Sequence, residues 1–200
     1  MRLSASNLTV ERGGRTVISK LSFALSDAEC LAVTGPNGAG KSTLLGALAG
    51  FLPRLGTVTL SPASQETISQ QVHYVGHAEG LKAPLTVGEN LEFLAALLDA
   101  GLGGLPVAEA LAKLGLGHAV HLPVAYLSAG QKRRVALARL LVTKRHIWLL
   151  DEPLAALDAS SQVLVRQIMA GHLSQGGLIV AATHAGLGLQ EQELRLGQAA

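Results

Sequence analysis

Four short, nearly continuous apolar segments are spaced along the chain, and they predict buried strands. They cover residues 30–34, 72–75, 147–150 and 178–183. Helix-type sequence separates several of them, and strands that are apolar at nearly every position are typical of a parallel sheet covered on both faces. The pattern therefore predicts an α/β core whose functional groups lie at the carboxyl ends of the strands.

The beginning of the chain has a different pattern. Residues 3–25 contain β-favouring runs on either side of Gly13-Gly14, and residues 57–60 form another such run. Glycine pairs between β-favouring runs are typical of hairpin turns. We expect an antiparallel β subdomain at the edge of the core.

The middle of the chain is helical in pattern. Thr86 and Glu89 have the spacing of a capping box, which predicts a helix to about Asp99. Glycines in residues 101–104 break this helix, and residues 106–116 predict a second one. We expect one domain over residues 1–200 with a helical insert at about residues 78–126.

Composition and charge narrow the function classes. A net charge of +2 without a long basic run argues against nucleic acid as a partner. The single cysteine, Cys30, excludes an internal disulfide, and it lies in a predicted core strand. Residues 1–7 do not resemble a signal peptide, and residues 167–190, the longest segment without Asp, Glu, Lys or Arg, are too polar to span a membrane. We expect a cytoplasmic protein that reaches a membrane only through a partner.

A phosphate-binding loop follows the first core strand. The pattern G-x-x-x-x-G-K-[ST] is matched between a predicted strand and a predicted helix, which is the context that the motif requires. Backbone N–H groups of such a loop wrap a phosphate chain, the lysine adds a positive charge, and the serine offers a hydroxyl to Mg²⁺. The predicted ATP-binding residues are Gly35, Pro36, Asn37, Gly38, Ala39, Gly40, Lys41, Ser42 and Thr43.

Two carboxylates end the third apolar segment. Asp151 suits the hold on Mg²⁺ beside Ser42, and Glu152 suits the general base that polarises the attacking water. A strand that ends in acidic residues also occurs by chance. Its place a hundred-odd residues after a phosphate loop favours the catalytic interpretation.

A second candidate anion site precedes a basic helix. Ser128 and Gln131 form a capping box, and the helix end with the N–H groups near Gly130 favours negative charge. The alternative is only a well-capped helix with a solvated basic face.

Together these motifs resemble the ATP-binding cassette (ABC) ATPases over essentially all 200 residues. Residues 127–131 are similar to the LSGGQ signature, with Ala129 in place of the first glycine, and residues 155–158, which end at Asp158, resemble the D-loop. His184 matches the switch histidine. The resemblance implies a P-loop NTPase fold, an ATP- and Mg²⁺-dependent ATPase, and a homodimer in which each ATP lies between one copy's phosphate loop and the other copy's Ser128, Gly130 and Gln131.

The chain departs from the family pattern at two points. His77 stands where most members carry a glutamine that touches Mg²⁺ or water, so we count it as a catalytic candidate, and a plain loop histidine is the alternative. Most family members place an aromatic residue near the start of the chain to stack on adenine, but residues 10–14 contain none, and Arg12 lies at the expected place. A guanidinium stacks on ring faces, but an exposed arginine is an equal alternative.

His77, the short carboxyl end and residues 80–91 resemble the ATP-binding subunits of the haem export system of bacterial cytochrome c maturation. That resemblance implies partners similar to the membrane proteins CcmB and CcmC, a peripheral location at the cytoplasmic face of the inner membrane, and docking near residues 82–98. An ABC ATPase for a drug, lipid or metal, or a soluble cassette ATPase such as one for iron–sulphur assembly, remain the alternatives. We do not expect the pair His118 and His121 to bind haem or metal, since it lies in a predicted loop.

Overall fold

The computed structural model describes residues 1–63, 67–98 and 103–197 of the chain. These residues form two compact units. The first consists of Met1–Gly76, His146–Pro153 and Met169–Ala200, and the second of His77–Arg145 and Leu154–Ile168.

A five-stranded parallel sheet forms the centre of the first unit. Its strands, in spatial order, are β5 (Val72–Val75), β6 (Ile147–Asp151), β7 (Leu178–Ala182), β3 (Cys30–Thr34) and β8 (Gln192–Arg195). Every residue of β6 and β7 is buried, as expected for strands covered on both faces. The predicted α/β class and its four apolar strands are confirmed, whereas β8 was not predicted.

The order of the strands decides where the functional groups meet. Because β3, β6 and β7 are neighbours and run parallel, their carboxyl ends share one edge of the sheet. The loop after β3, the acidic end of β6 and the residues after β7 therefore lie side by side.

Helix α1 (Lys41–Leu48) covers this sheet directly behind the phosphate loop. Seven of its eight residues are buried, and it packs against β6 and β7. Cys30 is 1% exposed in β3, and burial raises the pKa of its thiol to about 12, which fits the predicted core role.

The antiparallel sheet has the strand order β2-β1-β4. Strands β1 (Arg2–Arg12) and β2 (Arg15–Ser26) are joined by Gly13-Gly14, both with positive φ, as a two-residue hairpin turn requires. Strand β4 (Leu55–Ser61) pairs with the other edge of β1. The predicted antiparallel subdomain and its turn are confirmed. A short helix, α2 (Ile68–Gln71), precedes β5.

The second unit is mainly helical. Its elements are α3 (Val87–Leu98), α4 (Val107–Lys113), α5 (Ala129–Val142), the first part of α6 (Ala159–Ser174) and two short 3₁₀ turns, Gly117–Ala119 and Val124–Tyr126. The predicted end of α3 at Asp99, and Gly101 in the predicted break, lie outside the described residues. Within the described ranges, no helix is both long and apolar enough to cross a lipid bilayer.

Candidate active site

The loop after β3 has the backbone conformation that a phosphate loop needs. Gly35, Gly38 and Gly40 have φ values of 138°, 80° and 99°, a region that other residues rarely adopt. Two of them are also crowded. A Cβ on Gly35 would lie 2.5 Å from the carbonyl oxygen of Leu196, and one on Gly40 would lie 2.7 Å from Cγ1 of Val17. Glycine is therefore required at these positions for both conformation and space.

Lys41 reaches back over this loop. Its side chain is largely buried, and its ammonium donates hydrogen bonds to the carbonyl oxygens of Gly35 at 2.8 Å and of Pro36 at 3.2 Å. The positive charge is thus held against the first half of the loop. Ser42, in contrast, is an exposed residue of the first helical turn, where backbone N–H groups have no partner within the helix. A positive charge, the N-terminus of a helix and a hydroxyl together suit a phosphate chain.

The acidic end of β6 lies at the same edge of the sheet. Asp151 is 5% exposed at the last position of the strand, which packs against α1. The pKa of the Tyr74 hydroxyl is raised, mainly because the ring is partly buried and also because the negative charge of Asp151 is near. A buried carboxylate beside the helix that carries Ser42 provides the oxygen donors that Mg²⁺ prefers.

Glu152 has an unusual backbone. Its φ of 49° lies in the left-handed region, which costs a non-glycine residue about 1 kcal/mol or more, and its N–H donates to the carbonyl oxygen of Ala182 at 2.9 Å. Strain of this kind is often found at functional positions. It turns the chain sharply after β6 and brings the carboxylate to the end of β7.

His184 faces that carboxylate. The N–H of Thr183 donates to the carbonyl oxygen of Val33, which continues the pairing of β7 with β3. The Thr183 hydroxyl donates to the carbonyl oxygen of Ala185 at 2.6 Å and fixes the turn around His184. Nε2 of His184 lies 3.4 Å from Oε1 of Glu152. The structure thus brings the phosphate loop, Asp151, Glu152 and His184 together in the first unit.

A groove of about 830 Å³ runs beside the first half of the phosphate loop. Thr34, Gly35, Pro36, His184 and Gly197 are among the residues that line it. Through this groove, His184 and the adjoining residues Gly35 and Pro36 are open to solvent.

The profile of the ABC transporter family matches residues 18–155, which is more than half of the chain. The chain belongs to this family, as one of its ATPase subunits. The predicted resemblance to ABC ATPases is confirmed.

Relatives of this ABC ATPase carry a more specific name. A protein of Nitrobacter winogradskyi named cytochrome c biogenesis ATP-binding export protein CcmA is 51% identical, with 100% of both chains covered. A protein of the same name from a Chelativorans species is 52% identical over 98% of both chains. An ABC transporter ATP-binding protein from Pyrococcus furiosus has the same fold, with a TM-score of 0.85, 22% identity and 98% of both chains covered. The predicted likeness to the ATP-binding subunits of cytochrome c maturation is confirmed by these names.

The signature-like motif of this ABC ATPase lies in the second unit, at the start of α5. Ser128 is the N-cap: its hydroxyl accepts from the N–H of Gln131 at 3.2 Å, and the Gln131 side chain accepts from the N–H of Ser128 at 2.8 Å. The predicted capping box is therefore present. A Cβ on Gly130 would lie 2.9 Å from the carbonyl oxygen of Ala156, whereas Ala129 is exposed and has no left-handed φ. The second glycine of the signature is sterically required here, and the first is not.

The basic residues after the signature do not form a solvated face. Arg133 is 4% exposed, and Arg134 donates to the carbonyl oxygen of Leu114 at 2.8 Å. These cations are part of the packing of the helical unit.

Asp158 caps another helix of the second unit. Its carboxylate accepts from the N–H of Ser161 at 2.7 Å and from the hydroxyl of Ser160 at 2.9 Å. These hydrogen bonds, that of the Ser161 N–H first, lower the pKa of Asp158 to about 2. The carboxylate thus fixes the start of α6, three positions after Ala156, which has a left-handed φ of 61°.

The loop that carries His77 also lies in the second unit, and its imidazole is exposed. Two side chains hold the loop after it. The Arg139 guanidinium donates to the carbonyl oxygen of Glu79, and the Asn90 side chain accepts from the N–H of Lys82 at 2.7 Å and donates to the carbonyl oxygen of Lys82 at 3.1 Å. Arg139 and Asn90 were missed from the sequence, since nothing local marks a side chain that binds a distant carbonyl group.

Proposed function

We propose that this ABC ATPase powers haem export or haem-chaperone release in c-type cytochrome biogenesis, as the ATP-hydrolysing subunit of a membrane complex. The observation that carries the proposal is the identity of about half of all positions with relatives named CcmA, over the whole length of both chains. His77, in place of the glutamine that is usual in the family, adds to the same assignment.

The chemistry of the site is hydrolysis of the terminal phosphate of ATP. Residues 35–43 bind the phosphate chain through backbone N–H groups, and Lys41 offsets the charge of the β- and γ-phosphates. Glu152 accepts a proton from water as the water oxygen bonds to the γ-phosphorus, and the bond from that phosphorus to the bridging oxygen of ADP breaks. His184 orients the Glu152 carboxylate relative to the γ-phosphate.

Ser42 and Asp151 are the residues that would hold Mg²⁺. A hydroxyl and a buried carboxylate are hard oxygen donors, so the set fits this ion better than a softer metal. When bound, Mg²⁺ would offset charge on the β- and γ-phosphate oxygens.

The site is completed by a second copy of the chain. A single copy has its phosphate loop in the first unit and Ser128, Gly130 and Gln131 in the second. In the homodimer these three residues contact the γ-phosphate held by the partner copy, with the helix end of α5 favouring its negative charge. Asp158 shapes the turn before α6, and His77 takes the role of the glutamine that touches Mg²⁺ or water in most family members. Loss of the γ-phosphate opens the dimer.

Membrane subunits similar to CcmB and CcmC dock on the segment around α3, at the cytoplasmic face of the inner membrane. Phe93 is 61% exposed, Leu97 68% and Leu85 38%, whereas Leu91 is buried in the helical unit. Three exposed apolar side chains in one segment offer contact area, while Leu91 has a core role. Phe93→Glu should weaken copurification of the membrane subunits and leave ATP affinity unchanged.

The decisive experiment is complementation. A strain that lacks this gene is supplied with the wild-type chain, with Glu152→Gln, or with Glu109→Gln as an exposed control. We expect c-type holocytochromes, detected by haem staining, only with the wild-type chain and the control. Normal holocytochrome levels in the deletion strain would refute the cytochrome assignment, and a defect in the export of a drug, lipid or metal would favour the other ABC functions.

A further inference from the structure

The end of the described chain lies against the outer side of the phosphate loop. After β8, the N–H of Leu196 donates to the carbonyl oxygen of Thr34 at 2.8 Å, which extends the pairing of β8 with β3 to the position before Gly35. The Leu196 carbonyl oxygen then occupies the space that a Cβ on Gly35 would need. A Cβ on Gly197 would lie 3.2 Å from Cβ of Ala39 and 3.5 Å from the ring of Pro36.

We propose that Leu196 and Gly197 are positioning residues: their backbone forms a wall that fixes the phosphate loop and thereby sets its affinity for ATP. The proposal rests on the assignment of residues 35–43 as the phosphate loop. It adds a function for the last strand, to which neither the loop motif nor the family profile extends.

The physical reason is preorganisation. A phosphate loop binds through several N–H groups that must point inward together, so any freedom of the loop is lost on binding and weakens affinity. On one side the loop is held by Lys41, through the carbonyl groups of Gly35 and Pro36. The wall of Leu196 and Gly197 supports the same two residues and Ala39.

The wall is itself fixed to β3. Four register pairs join β3 to β8, the last between Thr34 and Arg195, and the Thr34 hydroxyl donates to the Glu193 carboxylate at 2.6 Å. Gly197 has a φ of 82°, so its backbone turns in a way that a side chain disfavours. A side chain there would both strain the wall and push it against Ala39.

The test compares two glycines with nearly equal φ values, 82° at Gly197 and 85° at Gly176. Gly176 has a φ of 85° and nothing within 4 Å of a Cβ, so Gly176→Ala reports the backbone strain alone. We expect Gly197→Ala to weaken ATP binding about tenfold, with kcat within about twofold of wild type, and Gly176→Ala to keep the wild-type affinity. Equal ATP affinities for the two variants would overturn the proposal.

A compensating change separates positioning from general damage. Ala39→Gly removes the methyl group that Gly197→Ala would crowd, so the double variant should regain part of the affinity relative to Gly197→Ala, with Ala39→Gly alone as the fourth corner of the cycle. Strictly additive effects would contradict a direct contact between wall and loop.

If Gly197→Ala does not fold, Thr34→Val decides: weaker ATP binding supports the wall, and wild-type binding overturns it. Wild-type chain that does not bind ATP would instead refute the phosphate-loop assignment.

Discussion

Nε2 of His184 lies 3.4 Å from Oε1 of Glu152, although 31 positions separate the two residues in the sequence. The contact joins the strained end of β6 to the turn after β7. It gives the carboxylate a defined orientation at the edge of the sheet where the phosphate loop lies.

Replacing Glu152 by glutamine should separate binding from turnover. The amide keeps the shape of the side chain but accepts a proton poorly, so we expect kcat to fall roughly 10²–10⁴-fold while ATP still binds. ATP affinity and phosphate release are measured on the same preparation. Glu109→Gln, an exposed change in α4, should leave both unchanged. Full turnover by Glu152→Gln would remove Glu152 from the mechanism.

His184→Ala should lower kcat about 10- to 1,000-fold and change ATP affinity little, because the imidazole contacts the Glu152 carboxylate, whereas we expect the phosphates to be bound by Lys41 and the loop backbone. His118→Ala, at an exposed position of a 3₁₀ turn, is the matched control. Steady-state rates at saturating ATP decide the outcome. An equal loss in both variants would point to general instability.

Lys41→Ala should abolish measurable ATP binding. The substitution removes the charge that offsets the phosphates and also the two hydrogen bonds that hold the loop, so we expect a Kd at least about 100-fold higher. Equilibrium titration with ATP measures the change, with Lys113→Ala on α4 as control. Unchanged nucleotide affinity would contradict the phosphate-loop assignment.

Acid should destabilise the first unit through His172. This ring stacks on Trp148 with a centroid separation of 3.7 Å, and burial lowers the pKa of His172 from 6.5 to about 4. Because the pKa of His172 is lower in the folded chain than in the unfolded chain, protonation of this ring favours unfolding. The contribution of the neutral ring to stability is therefore complete above pH 6.5 and is lost as the pH falls towards 4. The loss by pH 4 is at most roughly 3 kcal/mol of unfolding free energy.

His172→Phe keeps a ring against Trp148 and removes the titrating group. The fall of Tm between pH 7 and pH 4 should therefore be smaller in the variant. Some acid sensitivity should remain, because hydrogen bonds from the N-terminal ammonium and from His146 lower the pKa of Asp27. Identical pH profiles for the variant and the wild-type chain would exclude His172 as the cause.

Asp158 offers a test that separates helix capping from catalysis. Asp158→Ala removes the acceptor for the N–H of Ser161 and should lower Tm by about 2–6 °C, whereas Asp158→Asn keeps a capping oxygen and should lower it less. If the carboxylate only shapes the turn, ATP turnover should follow stability across the two variants. If Asp158→Asn keeps the wild-type Tm but hydrolyses ATP more slowly, the negative charge itself is needed.

Local physics explains what was predictable. Strands β3 and β5 have the predicted bounds because a nearly continuous apolar segment favours burial on both faces. Both capping boxes form because donor and acceptor are three residues apart. Asp151 and Glu152 were predicted at this edge because functional groups lie at the carboxyl ends of parallel strands, whereas His184 became a candidate only through the family resemblance.

The sequence by itself determined the class of fold, the phosphate-loop motif and the acidic pair at the end of β6, because each depends on residues that are close along the chain. Only the tertiary structure decided the left-handed backbone of Glu152, the distance to His184, the burial of Arg133 and the position of Leu196 and Gly197 against the loop. These features depend on which distant segments become neighbours. Strand β8 illustrates the reason: its four residues are mostly polar and carry no strand pattern, and β3 alone gives them their place.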